Sequence, residues 1–167
     1  MSTNTLDSAK KFSKILVAID GSEASMDAAD YAILMARVYN SSMTALHVIP
    51  EKIRYEYQDK IDSDVPYDAS NNTDSPRRIV EMPRQEIEEN SFRNIKEKCK
   101  ENNVKVNTEV ISNAKSIVAQ VVDYAESNNA DLIVVGTRGR TGFKKLLLGS
   151  VASGVVTYAH CPVMVVK

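Results

Sequence analysis

No apolar run in this chain approaches the ~20 residues that a membrane-spanning helix needs, so no bilayer crossing is expected. The opening stretch, Met1 to Lys11, is polar and lacks the apolar centre of a secretory leader. Only two cysteines occur, Cys99 and Cys161, far apart and outside any CxxC. That speaks against a disulfide framework and for reduced thiols in a reducing compartment, so a cytoplasmic location is expected. The two histidines, His47 and His160, have no Cys, Asp or Glu pattern around them, so a zinc site is not expected. A formal net charge of −1 gives no electrostatic ground for binding nucleic acid or an anionic membrane.

What is present is an ordinary globular composition, 43% apolar and 26% charged, over 167 residues, the length of one domain. Strand-like and helix-like segments alternate. Residues 14–20 form an apolar run, and Ser22 can cap the helix after it. In that helix Ala24, Ala28, Tyr31, Met35 and Val38 recur at three- and four-residue steps and are expected to form one buried stripe. Residues 42–49 read as a second strand. A helix is expected from about 84 to 102, with Ile87, Ile95 and Cys99 on one face. Residues 104–111 alternate as a strand with one more exposed face. Residues 114–127 carry a helical stripe of Ile117, Val118, Val121, Val122 and Ala125. Residues 131–135 form a fourth strand, about 150–160 a last helix, and 163–166 a fifth strand. Such alternation argues for an α/β fold, a parallel sheet with helices on both faces.

The most informative segment follows the fourth strand. Gly136-Thr137-Arg138-Gly139 is separated by nine residues from Gly149-Ser150, which opens the last helix. A strand end, a glycine-bearing loop and a helix N-terminus together suit a phosphate. Glycines allow close approach of the backbone and positive φ. The first N–H groups of a helix have no partner within it and face outward. No Gly-Lys-[Ser/Thr] follows, so the Walker lysine is missing. The dinucleotide fingerprint needs a third glycine three residues after the second, and Gly142 has no helix following at the right distance.

These residues resemble the ATP-binding branch of the universal stress protein family, whose signature is Gly-x2-Gly-x9-Gly-[Ser/Thr]. Three further blocks are similar: Lys14-Ile-Leu-Val-Ala-Ile-Asp-Gly-Ser22, Leu46-His47-Val48-Ile49 and Cys161-Pro-Val-Met-Val-Val-Lys167. The resemblance covers roughly 13–50 and 86–167. It implies a five-stranded parallel sheet in the order 3-2-1-4-5, with the ligand at the switch point between strands 1 and 4. It implies ATP, with ADP and AMP as alternatives, accompanied by Mg²⁺. Nucleotide contacts are then expected from Ala18, Ile19, Asp20 and Val48, and from Gly136, Thr137, Arg138, Gly139, Gly149, Ser150, Val151 and Ala152. It also implies a homodimer in which the last strand, Val163, Met164, Val165 and Val166, pairs edge to edge with its copy.

Several of these residues carry a second reading. Asp20 can cap the first helix or contact ribose or adenine. Ser150 can be an N-cap, an anion contact, or both. Arg138, Arg140, Lys144 and Lys145 form either a solvated loop face or a clamp in which one arginine reaches a terminal phosphate. His47, flanked by Leu46 and Val48, reads as structural; His160 lies at a helix end, where the dipole favours a cation. Cys99 reads as a small core residue, and Cys161 as either a redox handle or an ordinary thiol. Gly154 inside the last helix costs ~1 kcal/mol relative to alanine, or admits a close neighbour. Ala152 offers only its backbone N–H.

Residues 1–12 read as a polar tail. The segment 51–84, with Pro66, Pro76 and Pro83 and a polar cluster at 68–75, interrupts an otherwise single domain. It is either a mobile insertion or a lid or partner surface. No general base is evident beside the glycine loop, so no catalytic residue is assigned. A binding module is favoured over a slow ATPase. An adenylating enzyme of related fold would carry Ser-Gly-Gly-x-Asp-Ser after strand 1, where this chain has Ile19-Asp20-Gly21-Ser22-Glu23.

Overall fold

The computed structural model describes residues 12–51, 85, 87–137 and 148–167. The tail up to Lys11, nearly all of the 51–84 segment, and 138–147 with Arg138, Gly139, Arg140, Gly142, Lys144 and Lys145 lie outside the described residues.

Five strands are described: β1 (Lys14–Ala18), β2 (Ser42–Pro50), β3 (Lys105–Ala114), β4 (Leu132–Gly136) and β5 (Val163–Val166). The helices are α1 (Glu23–Tyr39), α2 (Arg93–Glu101), α3 (Ile117–Ser127) and α4 (Ser150–Tyr158). The sheet is parallel throughout, in the order β3-β2-β1-β4-β5. This is the expected fold, with the switch point between β1 and β4.

Side chains of a strand alternate between faces, and here both faces are covered. Ile15, Val17, Met43, Ala45, Leu132, Val134 and Val166 pack with α1 and α2. Leu16, Leu46, Val48, Ile133 and Val135 pack with α3 and α4. Burial on both sides is why the inner strands read as continuous apolar runs. Asp131 ties the amino ends of the two central strands together: its carboxylate accepts from the Ser13 N–H at 2.8 Å and the Lys14 N–H at 3.1 Å.

Serines start two of the helices. The Ser22 hydroxyl accepts from the Ser25 N–H ahead of α1, and the Ser116 hydroxyl from the Ala119 N–H ahead of α3. Such caps are each worth about 1 kcal/mol. Asn40 in the left-handed region ends α1. The helix expected from about 84 opens with a π-wound stretch, Ile87–Phe92, before α2. The strand expected at 104–111 runs on to Ala114.

The buried stripe of α1 differs from the expected one. Tyr31 and Val38 are 52% and 65% exposed, and Met35 is only half-buried. The core face is instead Ser25, Ala28, Ala29, Ala32, Ile33 and Ala36. The reason is close approach. A Cβ on Gly136 would lie 2.5 Å from the Ala24 carbonyl oxygen, so the helix presses onto β4 and admits mainly small side chains beneath it. Gly154 follows the same logic: a Cβ there would lie 2.6 Å from Cγ2 of Val118, so it admits α3 as a close neighbour of α4. Cys99 is fully buried in the core, as expected. His47 is 7% exposed within β2, in keeping with a structural role.

Candidate functional site

The carboxyl ends of β1 and β4 lie side by side, since Val17 pairs with Val134. From β1 the chain passes through Ile19 and Asp20 and turns at Gly21, whose φ of +79° suits glycine, into α1. From β4 it passes through Gly136 to Thr137. The Thr137 N–H donates to the Val166 carbonyl at 2.7 Å, and the Thr137 carbonyl accepts from the Gly149 N–H, also at 2.7 Å. This second bond joins the residues on either side of 138–148. It sets Gly149, and with it the first turn of α4, against the end of β4. Two motif halves ten or more positions apart in sequence thereby meet.

Gly149 is the N-cap residue of α4 and Ser150 is its first helical residue, so Ser150 is not the cap. Among the described residues no side-chain oxygen caps this helix, in contrast to α1 and α3. Its first N–H groups, on Ser150, Val151 and Ala152, have no partner within the helix and no side-chain cap among the described residues. Ser150 is exposed, Val151 half-buried and Ala152 buried. The expectation of positive φ at the motif glycines is not met where they are described: Gly149 has φ −67°, and Gly21 is the one described glycine with positive φ. Gly136 serves close packing against α1 instead. Arg138 and Gly139 lie outside the described residues.

Asp20 is half-buried. Its Oδ1 accepts from the Ser22 N–H at 3.0 Å and from the Ser22 hydroxyl at 2.5 Å. The carboxylate thus holds the turn into α1, while Ser22 caps the helix itself. Ala18 ends β1 opposite Leu46, and Val48 lies two residues further along β2. The structure therefore brings Ala18, Ile19, Asp20 and Val48 to one end of the sheet, with Gly136, Thr137, Gly149 and the α4 N-terminus beside them. His47, read from the sequence as structural, makes a specific bond. Its Nδ1 lies 2.6 Å from the Ile19 carbonyl, immediately before Asp20. Two clefts, of about 320 and 530 Å³, open at the opposite, amino ends of the strands, beside Lys14, Ser42 and Lys105. They are solvated strand starts, remote from the glycine motif.

The profile of the universal stress protein family matches residues 11–167. The chain belongs to the universal stress protein family. It is 34% identical over 156 residues to universal stress protein MJ0531 of Methanocaldococcus jannaschii, covering 93% of this chain and 82% of that one. It is 33% identical over 162 residues to universal stress protein YxiE of Bacillus subtilis, covering 93% and 99%. Among solved structures, hypothetical protein MJ0577 superposes with a TM-score of 0.75 at 25% identity, covering 95% of this chain and 97% of that one. The same fold recurs in a universal stress protein in complex with cAMP (TM-score 0.60, 21% identity, 95% and 98% covered). It recurs again in one from Archaeoglobus fulgidus in complex with dAMP (TM-score 0.62, 18% identity, 95% and 100% covered).

Proposed function

We propose that this universal stress protein binds an adenine nucleotide at the switch point, ATP before ADP or AMP, and acts as a nucleotide-regulated module. One observation carries the reading: of the helices that start beside the switch point, α1 is capped by a serine, while α4 starts at a glycine with no side-chain cap among the described residues. A phosphate supplies the missing acceptors and complements the helix dipole. Gly136, Thr137, Arg138, Gly139, Gly149, Ser150, Val151 and Ala152 hold the phosphates in this reading. Ala18, Ile19, Asp20 and Val48 hold the nucleoside. The two fold relatives in complex with cAMP and dAMP support an adenine ligand. No group of three or more His, Cys, Asp or Glu suited to a metal occurs among the described residues. Mg²⁺ would come with the nucleotide, held by its phosphates.

The same reading has the protein working as a cytoplasmic homodimer, with 51–84 available to partners. Among the described residues no helix is long and apolar enough to cross a membrane. The two sheet edges differ in character. β3 carries Lys105 and Glu109, charges that discourage edge pairing, whereas β5 reads Val-Met-Val-Val. The exposed large apolar side chains, Tyr31, Leu34, Val38, Val156 and Tyr158, lie on α1 and α4, which both contact β5. Pairing of β5 with its copy is an isologous solution to a bare edge. The nucleotide reading is tested by calorimetric titration of the full chain with ATP and Mg²⁺, alongside ADP, AMP and cAMP. Saturable binding of at least one is expected; flat titrations for all of them would refute it.

A further inference from the structure

The β1–β2 ladder stops at Ala18 opposite Leu46, and the Ile19 N–H still donates to the Leu46 carbonyl at 2.8 Å. In a parallel pair, alternate residues of a strand face the same neighbour. Leu46 faces β1, so Val48 faces it too. The next rung would run from the Val48 N–H to the Ile19 carbonyl. Among the described residues that rung is not made. The Ile19 carbonyl is met instead by Nδ1 of His47 at 2.6 Å. A carbonyl oxygen only accepts, so the ring must carry its proton on Nδ1. A side chain has taken the place of a main-chain donor, one residue before Asp20.

The displaced donor is the Val48 N–H. Val48 as a residue is 7% exposed, its N–H makes no bond to Ile19 among the described residues, and a buried donor left unpaired is costly. A ring nitrogen acceptor of a flat heterocycle, sliding between the end of β1 and β2, would relieve that cost. We propose that His47 is a positioning residue for the nucleoside end of the cleft: its Nδ1–H replaces the last ladder bond at Ile19, which ends β1 before Asp20 and leaves the Val48 N–H to be paired by the base. The role rests on the adenine-nucleotide reading. The ladder geometry beneath it does not.

The experiment uses the full chain, with ¹⁵N NMR and calorimetry. In the wild type, imidazole ¹⁵N shifts are expected to show Nδ1 protonated; a bare Nδ1 overturns the proposal. His47→Leu removes the donor, so the Val48 N–H closes onto Ile19. Its hydrogen exchange without nucleotide should slow at least tenfold, and affinity for ATP and AMP should fall together, at least tenfold. His47→Asn keeps an N–H near the place of Nδ1 and should restore both. If wild type binds and His47→Leu binds equally well, or if Val48 exchange is unchanged, the proposal fails. If His47→Leu does not fold, the wild-type tautomer and the His47→Asn comparison decide it. A wild type that binds no adenine nucleotide is a different failure, that of the functional reading, and the exchange and tautomer measurements still report on the ladder.

Discussion

Gly136→Ala separates two explanations of the first motif glycine. If Gly136 serves only to let a phosphate approach, a methyl group there harms binding and spares the ligand-free fold. The structure says otherwise. The added Cβ would lie 2.5 Å from the Ala24 carbonyl oxygen, 2.7 Å from its carbon and 3.1 Å from its Cβ. Two of these are main-chain atoms in the first turn of a 17-residue helix, so no rotamer change relieves the clash. With ordinary contact near 3.4 Å, the start of α1 must retreat by about 0.9 Å from a core packed at crystal-like density. Overpacking of this kind costs about 1–3 kcal/mol. For a chain of this size that corresponds to a midpoint lower by roughly 2–12 °C. The same retreat moves Ser22, and with it the Asp20 turn. Thermal unfolding followed by circular dichroism, without nucleotide, is the assay. A variant melting within about 1 °C of wild type would refute the packing argument.

Gly149→Val tests the other motif glycine and should behave in the opposite way. Its φ of −67° and ψ of 159° suit valine, so the ligand-free midpoint should hold, while the stabilisation by ATP, about 2.7 kcal/mol at a hundred times the dissociation constant, should vanish; retained thermal stabilisation by ATP sinks the phosphate assignment. Burial lifts the Cys99 thiol from 9.0 to about 11. At pH 8 it should therefore resist a thiol reagent until the chain unfolds, and stability should decline as pH rises from about 9, because the unfolded thiol loses its proton first; mass spectrometry showing rapid labelling of Cys99 in the native protein would contradict this. The carbonyls of Pro162 and Val166 accept from β4, so the N–H groups of Val163 and Val165 face the open edge. Val165→Pro should then give a monomer by light scattering where the wild type is a dimer, and Val166→Pro, whose N–H faces inward, should harm the fold first; a Val165→Pro variant that stays fully dimeric moves the interface elsewhere.

The strands were legible because the inner ones are buried on both faces and read as unbroken apolar runs. Strand order was not legible from periodicity; it came from the family resemblance. The core face of α1 was misread for a physical reason. Its buried positions are largely alanine, and the large apolar residues, Tyr31, Leu34 and Val38, sit on the solvent side. Any reading that weights size therefore rotates the helix the wrong way. The spacing of the glycine motif pointed to the carboxyl ends of the strands, where the structure gathers its described members, but the reason for Gly136 depends on Ala24, 112 positions earlier, and no local pattern carries that. His47 was legible as a buried histidine. Its bond to Ile19 was not, since it depends on where the β1–β2 ladder stops.

Thr137 explains why a motif of this length is fixed at both ends. Its N–H reaches Val166 on β5 and its carbonyl reaches Gly149 at the start of α4, both at 2.7 Å. The residue is 8% exposed, so neither bond is readily traded for water. The second bond holds the helix N-terminus against the strand end. The edge strand and the candidate phosphate site are thus joined through a single residue's main chain. Contiguity of this kind is not in itself coupling. It becomes coupling only if nucleotide and partner each favour one arrangement of β5 and α4 over another, and each would then shift the other's binding by the same factor. The short path through Thr137 gives such a preference a physical route, because a shift of β5 would act directly on the Thr137–Val166 bond.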